Sequence, residues 1–155
     1  MHTQRRDIIK LSAALSALVT AGLLTPSAAR AQQAAWNKAA FEAKSLADAV
    51  KALGGGASEA SGAIAITAPD IAENGAVVQI GIASKIANTQ TVALLVEKNP
   101  NVLAASFNIP SGTEAAVTTR VKMGQTSNVH AVVKADNKFY VATKEVKVTL
   151  GGCGG

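Results

Sequence analysis

Two side chains in residues 32–155 have chemistry that can serve as a reaction centre, the imidazole of His130 and the thiol of Cys153. They are the only histidine and the only cysteine of that stretch, too few to hold zinc or iron, which need several such ligands. No Gly-x-Ser-x-Gly elbow presents a serine nucleophile. Gly54-Gly55-Gly56 is not followed by the Lys-Ser/Thr pair of a phosphate loop. His130 alternates with Val129 and Ala131, a spacing that predicts a histidine on a sheet surface. The residues therefore predict no self-sufficient active site and no metal site of the chain's own.

Cys153 remains, in the context Leu150-Gly151-Gly152-Cys153-Gly154-Gly155. Four readings of a lone thiol compete there: a buried cysteine, a tail without a role, a staple to another subunit, and the attachment point of a carrier arm. Burial is hard to sustain, because the four flanking glycines bring no apolar atoms. The carrier reading uses what glycine does supply. Three residues beyond Leu150 place the Cys153 Cα about 10 Å away. A backbone without Cβ atoms is slim enough to enter a narrow channel and can bend differently in each enzyme it visits. An unperturbed thiol with pKa near 8.5 is only a few per cent ionised at neutral pH, so the visited enzyme would activate it. A thiol peroxidase would need a polar pocket around the cysteine, and a tethered structural domain would show a stable covalent dimer.

An arm needs a body, and the pattern predicts one. Residues 32–56 carry apolar positions Trp36, Ala39, Ala43, Leu46, Val50 and Leu53, a stripe that predicts an N-terminal helix ending at the three glycines. From residue 57 to residue 150 the period changes to two. Runs at Gly62–Thr67, Ala76–Ala83, Thr91–Val96, Val102–Phe107, Ala116–Met123, Val129–Ala135 and Phe139–Leu150 are separated by turn residues such as Ala68-Pro69-Asp70, Glu73-Asn74-Gly75 and Asp136-Asn137. Seven short strands at that spacing predict a mainly β fold, an immunoglobulin-like antiparallel sandwich with an N-terminal helical segment. Residues 151–155 follow as a flexible C-terminal arm. In the last strand Phe139 and Val141 are odd while Val146, Val148 and Leu150 are even, which predicts a bulge or break within Ala142–Glu145.

Residues 1–31 read as a leader. Gln4-Arg5-Arg6-Asp7-Ile8-Ile9-Lys10 is similar to a twin-arginine export signal, an apolar stretch follows from about Leu11 to Leu24, and Ala29-Arg30-Ala31 marks a cleavage site before Gln32. That apolar stretch is too short to cross roughly 30 Å of hydrocarbon, so no membrane anchor is expected. Loss of the leader removes Arg5, Arg6, Lys10, Arg30 and Asp7 and leaves a net charge of only +2, so the whole-chain pI of 9.6 overstates the basic character. With scattered basic residues and few aromatics, no nucleic-acid partner is expected.

The ending Val146–Gly155, together with Pro69-Asp70-Ile71-Ala72-Glu73-Asn74-Gly75 and Glu97-Lys98-Asn99-Pro100-Asn101, resembles the SoxY family, the sulfur-carrying subunits of bacterial thiosulfate oxidation. The resemblance implies a periplasmic, non-enzymatic carrier with thiosulfate-derived sulfur held covalently on Cys153, and with Gly151, Gly152, Gly154 and Gly155 as its arm. It also implies a heterodimer with SoxZ. Transient docking would follow to the cytochrome pair SoxAX, the manganese hydrolase SoxB and, where present, the molybdenum-haem enzyme SoxCD, with every cofactor belonging to those partners.

Overall fold

The computed structural model describes residues 37–149. Residues 1–36, which include the expected leader and Trp36, and residues 150–155, which include Cys153 and its four glycines, lie outside the described residues.

Two short helices open the described chain, α1 (Lys38–Phe41) and α2 (Leu46–Ala52). The spacing of the stripe predicts one helix, and its interruption has a local cause. Ser45 takes extended backbone and its hydroxyl accepts from the Asp48 amide, so it caps a new helix. Asn37 does the same for α1, accepting from Ala40 N. The break also rotates the apolar face, so that Ala40 is buried while the predicted Ala39 is exposed. The C-terminal end behaves as glycine allows. Gly54 has φ +91°, and the Gly54 and Gly55 amides donate to Lys51 O and Val50 O. Gly55 sits against the Phe139 ring and Val50, where a Cβ would come within 2.8 Å of each.

Nine strands follow: β1 (Ser58–Ala60), β2 (Ile64–Thr67), β3 (Ile71–Ala72), β4 (Val78–Ser84), β5 (Thr89–Val96), β6 (Leu103–Asn108), β7 (Ala116–Val121), β8 (Ser127–Ala135) and β9 (Lys138–Val148). They form a mainly β, immunoglobulin-like sandwich. One sheet has the order β1-β9-β8-β5-β6 with β3 also on β9, and the other is β2-β4-β7. All pairings are antiparallel except β1 and β3, which run parallel to β9. The β8–β9 hairpin turns at Asp136 (φ 47°) and Asn137 (φ 61°), two residues that tolerate the left-handed backbone a two-residue hairpin requires.

Between the sheets lie Ile64, Val78, Ile80, Ile82 and Val121 from one side and Val92, Leu94, Val96, Val129, Ala131, Val133 and Val146 from the other. The larger sheet is also covered on its second face. Ala40, Ala43, Ala49 and Val50 of the helical segment pack there on Ala93, Leu95, Val132 and Phe139. Each fully buried Val or Leu contributes about 1.5–3 kcal/mol.

This double covering corrects the reading of β9. Its register with β8 is unbroken from Ser127↔Val146 to Ala135↔Lys138, with no bulge in Ala142–Glu145. The buried parity changes because Phe139 faces the helices whereas Val146 faces the other sheet. The irregularities fall instead in β5 at Gln90 and in β6 at Ala104. Regular strand pairing also stops at Val148, before Leu150.

Candidate functional site: the root of the cysteine arm

Cys153 and its four glycines are beyond the described residues, but the strand that leads to them is not. β9 is paired with β8 along one edge, and along the other with β1 at its start and β3 at its end. Three successive amides at its exit are all bonded: Lys147 N donates to Asp70 O at 3.0 Å, Val148 N to Thr126 Oγ1 at 3.0 Å, and Thr149 N to Ala72 O at 3.1 Å. The Lys144 ammonium holds the same segment from below, 3.0 Å from Asp70 Oδ1 and 2.7 Å from Ala68 O. The chain is therefore fixed to within four residues of the thiol.

Thr126 belongs to the connection between β7 and β8; the rest of the clamp is built by the loop between β2 and β4. Asn74 folds it back, its Oδ1 accepting from Ala76 N at 2.9 Å and its carbonyl from Val77 N at 3.3 Å. Gly75 then passes so close to the sheet that a Cβ there would stand 2.3 Å from Met123 O and 2.8 Å from Val148 Cγ1. Its own carbonyl accepts from Met123 N at 2.7 Å. Proximity, rather than a left-handed φ, is what demands glycine here. Sequence reasoning saw Pro69–Gly75 only as turns, and missed both β3 and the Gly75 contact. The one available signal was the resemblance carried by that segment.

The Glu97–Asn101 loop lies at the same end. Glu97 N and Lys98 N donate to Asn128 O and Ser127 Oγ, and Asn99 Nδ2 to Lys122 O. Lys44 reaches across from the helical segment to Pro100 O and Asn101 Oδ1. Both quoted segments of the resemblance thus belong to the end of the sandwich from which the chain leaves toward Cys153.

His130 is not the surface residue predicted. It is 9% exposed, with Nδ1 2.9 Å from Thr143 Oγ1 and Nε2 3.6 Å from Glu97 Oε2, which itself accepts from Asn128 Nδ2 at 2.8 Å. Burial holds its pKa below the ordinary histidine value, against the pull of Glu97 in the other direction. The Asn128 hydrogen bond leads the effects that lower Glu97. Neighbouring apolar residues on both sides of His130, from Val129 to Val133, were the sign of a strand buried on both faces. Elsewhere, a groove of about 400 Å³ crosses the outer face of the three-stranded sheet around Gly81, Gln79 and Thr118; its lining has no carboxylate, imidazole or thiol.

Compared with protein families, the sequence matches the model of the sulfur oxidation protein SoxY over residues 49–153. The chain belongs to the SoxY family. The match begins inside α2 and ends on Cys153, so it takes in the sandwich, the clamp and the cysteine of the arm. Among solved structures, the sulfur carrier protein SoxY from Chlorobium limicola f thiosulfatophilum is 36% identical, with a TM-score of 0.59 over 66% of this chain and 96% of that one. A chain from a structure on T cell specificity of the bacterial superantigen toxic shock syndrome toxin-1 is 14% identical, with a TM-score of 0.40 over 56% of this chain and 99% of that one. A CARDB domain from Pyrococcus furiosus is 13% identical, with a TM-score of 0.39 over 56% and 85%. The curated proteins contain no match.

Proposed function

We propose that this protein is a periplasmic sulfur carrier, exported by the twin-arginine pathway, which holds thiosulfate-derived sulfur covalently on Cys153 and presents it to successive enzymes. The observation that carries the reading is that a family match running to Cys153 coincides with a strand clamped at Lys147, Val148 and Thr149, four residues short of that thiol. A carrier needs both halves of that arrangement: a fixed origin, so that docking the body locates the arm, and a slim segment that enters an active site. Gly151, Gly152, Gly154 and Gly155 supply the second half, since glycine adds no side chain to the width of the chain.

The chemistry divides between carrier and visitors. Joining thiosulfate to the thiol forms an S–S bond, releases one proton and gives two electrons to a haem acceptor, the part assigned to SoxAX. Hydrolysis of the Cys–S–S–SO₃⁻ adduct breaks the S–S bond to the sulfonate, adds water and yields sulfate and a persulfide on Cys153, the part assigned to SoxB. SoxCD, where present, would oxidise the remaining sulfane sulfur. SoxZ is the expected stable partner. The chain itself contributes no base, metal or cofactor to these steps and is not an enzyme in this reading. Cysteine activation belongs to the visitor, because thiolate is the reacting form and the arm itself carries no charged side chain to favour it.

Cys153→Ser tests the proposal. Thiosulfate turnover by the reconstituted system is expected to vanish, with the melting temperature unchanged. Turnover at the normal rate would overturn it.

A further inference from the structure

A sheet edge offers unpaired amides and carbonyls to any strand that comes alongside, and proteins protect such edges by shortness, charge or proline. In the larger sheet β1, β3 and β6 lie at edges, and in the smaller sheet β2 and β7. β1 has three residues, one of them Glu59; β3 has two; β2 has four and is followed by Pro69; β7 carries Arg120. β6 has none of these protections. Its six residues are Leu-Ala-Ala-Ser-Phe-Asn, and no charged residue occurs between Lys98 and Glu114.

The start of this edge is closed, because Val102 N donates to Ala43 O, and the irregularity of β6 falls at Ala104. From Ala105 onward the strand is regular. Ile109 N donates to Gln90 O, so alternation gives Ala105 and Phe107 the ladder bonds to β5 and turns the N–H and C=O groups of Ser106 and Asn108 away from it. Nothing else among the described residues bonds to those groups. Between them Phe107 is half-buried and belongs to neither core cluster.

This edge complements itself. When two copies of β6 meet antiparallel about an axis at Phe107, Ser106 of each stands opposite Asn108 of the other, and each such pair exchanges both of its N–H···O bonds. Phe107 then meets Phe107 of the second copy at a non-hydrogen-bonded position, where side chains are closest and aromatic pairs stabilise a sheet. Ala105 opposes Ile109, and no charge is brought against a like charge. We propose that a second copy of this chain pairs on the β6 edge in this isologous arrangement, joining the two larger sheets into one. The proposal is independent of the carrier reading of Cys153. β9 lies three strands from β6 in the sheet order, so at roughly 4.8 Å per strand the two arm roots stand about 34 Å apart, clear of the seam. Such a seam is short against the roughly 1,200–2,000 Å² of stable interfaces, and its Kd is on the order of 10–100 µM.

The test uses the full mature chain carrying Cys153→Ser, so that no disulfide joins two copies. Sedimentation equilibrium over concentrations that bracket this Kd is expected to show reversible dimers, and amide exchange at Ser106 and Asn108 should slow as concentration rises. Ser106→Pro removes an outward N–H that the fold does not use; it should weaken the dimer at least tenfold and leave the melting temperature close to that of the parent. Ser106→Thr keeps that N–H and should keep the Kd. Asn108→Lys, at an exposed position, sets a charge on the seam and should weaken the dimer by a similar factor. A monomer at every concentration overturns the proposal, as does a dimer indifferent to both Ser106→Pro and Asn108→Lys. Mixing with SoxZ distinguishes the other occupant. If protection at Ser106 and Asn108 appears only in that mixture, and Ser106→Pro weakens the mixed complex, the edge belongs to SoxZ and the second-copy proposal fails.

Discussion

Gly75→Ala puts the clamp under direct strain. A methyl group at this position would be 2.3 Å from Met123 O and 2.8 Å from Val148 Cγ1, against ordinary contacts well above 3 Å. The first neighbour is backbone and cannot rotate away. Met123 is also 1% exposed and bonded through its amide to Gly75 O at 2.7 Å, so relief requires the loop and the β7 end to separate. Overpacking of this kind costs about 1–3 kcal/mol. Replacing glycine by alanine returns about 0.4–1 kcal/mol by restricting the unfolded chain, so the clash wins. A contact this short with backbone sits toward the upper end of that cost, leaving a net loss of about 1–2.5 kcal/mol; at about 4 °C per kcal/mol for a domain of this size, the melting temperature should fall by about 4–10 °C. Thermal unfolding by circular dichroism measures it, with Gly62→Ala as the control, because a Cβ there meets nothing within 4 Å. Amide exchange at Lys147 and Thr149 should quicken in Gly75→Ala, since the Asp70 and Ala72 carbonyls of the same loop hold both. A wild-type melting temperature with unchanged exchange would refute the claim that close approach at Gly75 builds the arm root.

Lys144→Met leaves the Ala68 carbonyl without its donor and should cost about 1–2 kcal/mol in chemical denaturation, whereas Asp70→Asn should cost less than about 0.5 kcal/mol because Asp70 is 90% exposed. Equal costs would show that the ion pair, not the carbonyl bond, matters. For His130 the folded pKa lies below the unfolded value of 6.5, so the unfolded chain binds the proton more readily. Its contribution is present above pH 6.5 and is lost as pH falls from there through the folded pKa. Melting temperature should decline over that interval, and His130→Gln should flatten the decline; an identical slope would remove His130 as its cause.

The sequence was most legible where one local pattern decides the structure. The seven strand runs appear as β2 and β4–β9, because alternation and turn residues such as Asp136-Asn137 act within a few neighbours. Two-residue β3 and three-residue β1 carry too little pattern, and both pair in parallel with a strand more than seventy residues away. The parity change in β9 was read correctly as a signal and wrongly as a bulge, since periodicity reports that a residue is buried but not which of two faces covers it. The same ambiguity placed His130 on a surface. For the site, Cys153 stood out by type and setting, whereas the clamp rests on backbone bonds at Asp70, Ala72 and Gly75 that no side-chain chemistry announces.

Intact-protein mass spectrometry of the protein from cells given thiosulfate, before and after a reducing agent, tests covalent sulfur carriage most directly. The account predicts reducible sulfane or thiosulfonate additions that map to the peptide containing Cys153. A thiol without additions, or one found only in a disulfide between two copies, would contradict it.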